Sequence, residues 1–413
     1  MDKIEETYLE LLRQAVMGRE TLPSLPSKGR MCSGLIGGEA ERLIEAVMEL
    51  AVRQGTGALV GNELLKGPTQ ALPHREGCAL GGEADGLKGR KASIQMLCMQ
   101  VMVGQERQRR ALEKVWKAIE ATGVKPVLLK GFGLAQLYPN PYLRQWGDAD
   151  IWVGHGHYDE VTEAICKTMN VTWHHENEEV NERHYNFNTE DGLVFEIHPQ
   201  TIRWVLPKED KLYRAIEAKA MAQCETIEIE GMSYRIPERG FNQLFVFLHA
   251  WEHCTSSGTN MKQLTDLALL CQREPLPREL YEALKPLHVL EPWEVMGYAV
   301  VKLFGLKKEC WTGYLDSRRV KRLGERLCKE ILHIKNPVRK STKNRLINCF
   351  NFANAQKSDK NLNKNLNKIL RKLGTLGERV KTARKIGFVS PKYGWHYLWM
   401  AIVKGVRRLG VEG

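Results

Sequence analysis

The sequence predicts an α/β (α+β) protein, with a core built on a mixed sheet and helical regions flanking it on the N- and C-terminal sides. Three observations carry that prediction. Short apolar runs bounded by glycine, proline and turn residues cluster between positions 126 and 198 and read as strands. On both sides of them, apolar residues recur at helical spacing. The chain has 413 residues, 43% hydrophobic and 27% charged, enough apolar mass to bury more than one core.

The elements follow in order. Residues 1–20 read as a helix, and 21–37, rich in Pro, Ser and Gly, as a loop. From Glu39 to about Gln54 a helix is marked by Leu43, Ile44, Val47, Met48 and Ala51. Residues 66–91 hold few large apolar side chains and read as a loop or insertion. A long helix is expected from Ala92 to Thr122, ended by Gly123 with Pro126 soon after. Pro126 to Lys130 reads as a buried strand. Gly131-Phe132-Gly133 then turns the chain into a short helix, Leu134 to Tyr138, which Pro139 and Pro141 stop. Asp148 to Val153 is a second strand and Tyr158 to Met169 a helix. His184 to Asn188 and Leu193 to His198 read as paired strands around the turn sequence Thr189 to Gly192. Glu225 to Ile236 suggests a hairpin about Glu230-Gly231, and Phe241 to His253 and Met261 to Cys271 are strong helices. The expected organisation is a helical N-terminal region with loop insertions (1–119), a core (120–236), a helical domain (237–335) and a basic helical C-terminal region (336–413).

Composition narrows the setting. The N-terminus is acidic and amphipathic, without a signal-peptide pattern. No uncharged apolar run approaches the roughly 18 residues of a membrane span. The ten cysteines are scattered with no CxxC pair, which argues against a zinc ribbon or a redox motif. Cys98, Cys166 and Cys271 lie in apolar helical patterns and read as buried thiols. The expected location is cytoplasmic. The net charge of +12 is uneven: Arg318 to Gly413 carries 25 Lys and Arg against 5 Asp and Glu, so the remainder of the chain is acidic. Such a block can draw nucleic acid, anionic lipid or an acidic partner.

Chemistry concentrates in Gly147-Asp148-Ala149-Asp150-Ile151-Trp152-Val153. On a strand, residues two apart share a face, so Asp148 and Asp150 project together. Paired carboxylates are costly unless a cation or proton lies between them. Oxygen sites with open positions suit Mg²⁺ (or Mn²⁺), which also binds substrate phosphates. Glu196, interrupting the apolar strand Leu193 to His198, is the expected third carboxylate. His198 shares its face and is placed for phosphate contact or proton transfer. Upstream, Lys130 and Gly131 to Gly133 end a strand and open a helix, where backbone amides favour phosphate. Lys130 and Arg144 offer positive charge to a triphosphate.

The order LKG, Tyr-Pro, Arg, GDxD, then a strand with Glu-x-His resembles the nucleotidyltransferase superfamily that includes DNA polymerase beta. Within it, LLKGFGLAQLYPNPYLRQWGDADIWV and VFEIHPQ are similar to a family of uncharacterised bacterial nucleotidyltransferases, closely over about 125–200 and more loosely over the flanking helices. The resemblance implies a polymerase-beta-like core, magnesium dependence and transfer of a nucleoside monophosphate from an NTP to an acceptor. Asp148, Asp150 and Glu196 would then be the catalytic and metal-binding residues. Lys130, Gly131, Gly133, Arg144 and His198 would be the nucleotide-binding ones. The chain departs from the superfamily pattern at Phe132, where Gly or Ser usually follows the first glycine, and at Trp152, which replaces a small aliphatic and is expected to pack in the core. The acceptor stays open among a sugar, a lipid-linked glycan, an antibiotic, a protein side chain and an RNA end.

Competing readings stand beside these. A catalytically degenerate nucleotide-binding or scaffold protein of the same fold is compatible with the altered glycine motif. A nucleic-acid-binding protein acting through the basic tail is compatible with residues 336–385, and so is contact with a membrane surface through the aromatic and basic run Tyr393 to Arg408. A terminal helix docked on the core fits that run equally well. His249 and His253 lie four apart, a zinc-compatible spacing, but HAWEH lacks the metalloprotease pattern and reads as a packed helix with surface histidines. Asp266 lies on an amphipathic helix, where it is either packed or, as the family pattern hints, turned to the cleft.

Overall fold

A computed structural model of the chain describes residues 2–17, 38–66, 81–145, 147–171, 185–189, 192–202, 204, 206–255, 259–333, 390, 393 and 396. The expected loop over 21–37 and the basic run 336–385 lie outside the described residues.

Three helices lead: α1 (Lys3–Met17), α2 (Gly38–Arg53) and α3 (Gly57–Lys66). Next comes α4 (Gly81–Glu120), which begins earlier than expected and overturns the loop reading for 81–91. The expected start rested on apolar periodicity, and that stretch offers only Ala84 and Leu87. Helix extends there by propagation, which needs no new nucleus. The helix closes at Thr122, whose hydroxyl donates to Ile119 O, and at Gly123 with φ +85°.

The sheet follows. β1 (Val127–Leu128) is shorter than the expected strand, although the Leu129 amide still donates to Asp150 O. A short helix α5 (Phe132–Ala135) and a 3-10 turn (Pro141–Leu143) lead into β2 (Asp148–Trp152). After α6 (Tyr158–Met169) come β3 (Tyr185–Asn188) and β4 (Val194–His198). The four strands run in the order β1-β2-β4-β3, with β1 antiparallel to β2, β2 parallel to β4, and β4 antiparallel to β3. The sheet is therefore mixed, as expected. Its back face carries Ala149, Ile151, Phe195 and Ile197, packed on Leu112, Val115, Trp116 and Ile119 of α4 and on Val161 and Ile165 of α6. Burying that face leaves the alternate residues of β2 and β4 on the other side.

A helix α7 (Pro207–Ala222) and the hairpin β5 (Glu225–Ile229) and β6 (Met232–Ile236) follow. The chain then becomes helical: α8 (Arg239–Thr255), α9 (Met261–Arg273), α10 (Arg278–Ala283), α11 (Leu290–Phe304) and α12 (Arg318–Leu332). A reciprocal capping box of Asn260 and Gln263 starts α9. These helices share one apolar core with α1 to α3. Polar contacts tie the two ends together: Arg13 Nε donates to Leu303 O at 2.8 Å, and Gln54 Nε2 to Ile331 O at 2.9 Å. Ser390 donates to Glu291, and the Tyr393 ring meets Trp251 edge-on, so the described part of the aromatic C-terminal run docks on this core.

The seven described cysteines are free thiols. Cys98 and Cys271 are buried, as is Cys328, while Cys166 is half-buried instead of fully enclosed. No described helix is long and apolar enough to cross a membrane.

Candidate active site

Strand register assembles the centre. Asp150 lies opposite Glu196, and Trp152 opposite His198, in the parallel pair β2–β4. Opposed residues of neighbouring strands point to the same face, so Asp148, Asp150, Glu196 and His198 share the face left open by the core.

Asp150 is fully buried. Its Oδ1 accepts from His198 Nε2 at 3.0 Å and sits 2.9 Å from Lys130 Nζ. Its Oδ2 is buried with no hydrogen-bond partner among the described residues. Burial pushes the Asp150 carboxyl up, but Lys130 and His198 overcome that and hold it well below the usual carboxylate range. His198 Nε2 also lies 3.5 Å from Glu196 Oε2. Ligating atoms of Asp150, Glu196 and His198 come within 4.8 Å of one another, the one such grouping among the described residues. Asp148 stands outside it but feels it: repulsion by Asp150, then burial, raises its carboxyl.

Lys130 is delivered by the end of β1. Gly131 reverses the chain at φ +64°, ψ −115°, a conformation that a side chain would strain. The lysine is largely enclosed. Burial pulls its ammonium down, yet Asp150 and Asp148 outweigh this and leave it above the ordinary lysine value. It also donates to His249 Nε2 at 3.0 Å. Gly133 has a different task. A Cβ there would lie 3.3 Å from Ile236 and 3.5 Å from Leu128, so the glycine serves close packing.

Arg144, expected near a triphosphate, is 3% exposed and held by Asp266 of α9. Its Nε and Nη2 donate to the two Asp266 oxygens at 2.7 and 2.6 Å. Tyr138 adds a third donor to Asp266 at 2.7 Å, and Gln105 donates to the Arg144 carbonyl. This is a bidentate clamp between the loop that enters β2 and the helical layer, and it does not lie open to a ligand. Asp266 is accordingly buried, as expected of a packed residue, and it also forms the clamp's anchor.

Two side chains from the helical layer were not anticipated. His249 is not a surface histidine. It faces Lys130 and stacks edge-on with His253, their Nε2 atoms 3.0 Å apart. The pair gathers no third metal ligand among the described residues. Lys262, in the first turn of α9, is pulled down to about 8 by burial and by Arg144. No carboxylate lies within 4 Å of its ammonium among the described residues. A signal existed in the sequence: Lys262 and Asp266 are four apart on one helix, so they share a face.

Trp152 is half-buried: it packs against the apolar core, as expected, and it also lines a cavity. Asp148, Asp150 and Trp152 alternate along β2, so the residue that replaces a small aliphatic stands on the site face.

No curated protein and no solved structure matches the chain. A family's sequence model does, over residues 85–305, from near the start of α4 to the end of α11 and so across every site residue named above. By that match, which spans more than half of its length, the chain belongs to the uncharacterised nucleotidyltransferase family.

Proposed function

We propose that the protein transfers a nucleoside monophosphate from an NTP to an acceptor hydroxyl and releases pyrophosphate, with Mg²⁺ or Mn²⁺ as the required ion. One observation carries this reading: the fully buried Asp150 keeps a carboxylate oxygen without a partner among the described residues, beside Glu196 and His198. An unsatisfied buried oxygen costs about 1–3 kcal/mol or more for a charged group, and a hard cation relieves it. The donor set, carboxylates on a rigid sheet, fits such an ion. Asp150, Glu196 and Asp148 would hold it, and it would neutralise triphosphate charge and make the acceptor hydroxyl more acidic.

The chain's own residues do the rest. His198 and Lys130 fix the Asp150 rotamer and keep it ionised. Glu196 takes the proton as the acceptor oxygen bonds to the α-phosphorus and the bond to the leaving pyrophosphate breaks. Lys262 supplies an unpaired ammonium to the phosphates.

Calorimetry with each of the four NTPs, with and without Mg²⁺, tests the reading on wild type and Asp148→Ala. Metal-dependent binding that disappears in the variant is the expected result. Absence of binding by wild type to every NTP overturns it. A second reading, a nucleotide-binding scaffold without turnover, is favoured by the Lys130 ammonium already resting on Asp150. Binding without pyrophosphate release, whatever the acceptor, would establish it.

Lys262 yields a separate expectation. Its pKa in the fold, about 8, lies below that of the unfolded chain. The unfolded state therefore binds more protons between about pH 8 and 10.4, and stability rises with pH across that window. At pH 7 the buried charge is a liability. Lys262→Met should stabilise the protein by about 1–2 kcal/mol at pH 7, after discounting for partial exposure. The gain should fade above about pH 10. The same change should weaken NTP binding by about tenfold or more. Urea titrations at pH 7 and 10, paired with calorimetry, check both. A destabilised variant with unchanged NTP affinity would refute the assignment.

A further inference from the structure

We infer that the acceptor is a phosphate-free polyhydroxylated ring, of carbohydrate type, seated on Trp152 in a cavity beside the carboxylate cluster. The inference rests on the nucleotidyl-transfer reading above. Trp152 follows Asp150 by two residues on the same face of β2, a displacement of about 7 Å. It is opposite His198, whose ring holds Asp150. A cavity of about 650 Å³ opens there, lined by Trp152, His155, Gln200, Asp210, Arg214 and Glu217 among others. That volume suits a small molecule of one or two rings.

Three features select the occupant. The indole presents a flat apolar surface, suited to the C–H face of a sugar ring. It is set in place by Gly154, where a Cβ would come within 3.3 Å of the ring and φ is +79°. The indole N–H is buried and has no acceptor among the described residues, which leaves an oxygen of the occupant as the partner it lacks. The third feature is charge. Asp210 and Glu217 stand against one guanidinium, Arg214, which is already ion-paired with both. The charged residues that line the cavity, Asp210 and Glu217 against Arg214, thus leave it net negative. It disfavours an acceptor carrying phosphates, such as an RNA end, and accepts a neutral or amine-bearing ring.

Sheet order supplies the direction. Lys130, at the end of β1, flanks Asp150 on one side, while Glu196, His198 and Gln200 belong to β4 and its extension on the other. Donor phosphates and acceptor hydroxyl thus approach from opposite flanks, with Glu196 on the acceptor's side.

Saturation-transfer NMR on the full chain, without nucleotide, tests this. The probes are glucose, glucosamine, maltose and a short RNA with a free 3′-hydroxyl. Transfer to at least one saccharide and none to RNA is expected, with affinity about tenfold weaker in Trp152→Ala. Ala218→Trp crowds the cavity from an exposed position on α7 and should have the same effect, which covers the case of a Trp152 variant that does not fold. Saccharide contact that persists undiminished in both variants, transfer to RNA alone, or no transfer to any saccharide overturns the inference. Because saccharide contact is read without nucleotide, its failure is distinct from a failure to bind NTP.

Discussion

Asp148→Asn should abolish nucleotide turnover, by a factor of about 10³ or more, while making the ligand-free fold more stable. The loss follows from removing one of the charges proposed to hold the divalent ion, which is worth several kcal/mol in the transition state. The gain follows from the ligand-free electrostatics. Repulsion by Asp150 is the largest influence on Asp148, with burial second, and both raise its carboxyl above the ordinary value. The folded state then binds the proton more tightly than the unfolded one, so stability falls as pH rises through that interval. At neutral pH Asp148 is a cost to the fold, and the neutral amide removes it. The advantage of the variant over wild type should be greatest above the raised pKa and shrink toward pH 3, where both states are protonated. Pyrophosphate release and chelator-treated urea titrations at pH 7 and pH 4 measure the two effects. Retained turnover in Asp148→Asn would remove the basis of the proposed chemistry.

Asp266→Ala should cost about 3–5 kcal/mol of stability, the range for breaking a buried pair by removing one partner. The change leaves the enclosed Arg144 guanidinium without its counter-charge and Tyr138 without its acceptor. Arg144 already has one buried nitrogen, Nη1, lacking a partner, so little local rearrangement is available to compensate. Replacing both members, Arg144→Met with Asp266→Leu, should recover most of the loss, because two desolvated charges disappear together. Denaturant unfolding of the single and double variants closes the cycle. A single-variant cost below about 1 kcal/mol would mean that the clamp does not fasten the β2 loop to the helical layer. The same clamp positions the strand that carries both aspartates, so a loosened protein should lose metal-dependent NTP binding as well.

Comparing expectation with structure shows which kinds of information are local. The alternation of Asp148 and Asp150 with Ala149 and Ile151 was legible because period two is a property of the extended backbone. So were the Glu-x-His strand, the hairpin about Glu230-Gly231 and the helices with a clear apolar stripe. The start of α4 was not, since residues 81–91 carry almost no apolar side chains to report a period. Trp152 is legible only in part: its size points to the core it packs against, while its place in the alternation also puts it on the site face.

The sequence by itself thus determined the strand that bears the carboxylates, the strand expected to pair with it and the glycine turn that delivers Lys130. Each depends on backbone preferences spanning a few residues. The tertiary structure decided which groups meet. The parallel register of β2 and β4 brings Asp150, Glu196 and His198 together while leaving Asp148 beside the cluster. Packing of the helical layer supplies His249 and Lys262, and it gives Arg144 a partner 122 residues away. Burial makes such pairings decisive: an enclosed charge must find an opposite charge wherever the fold places one, and sequence separation carries no record of that choice.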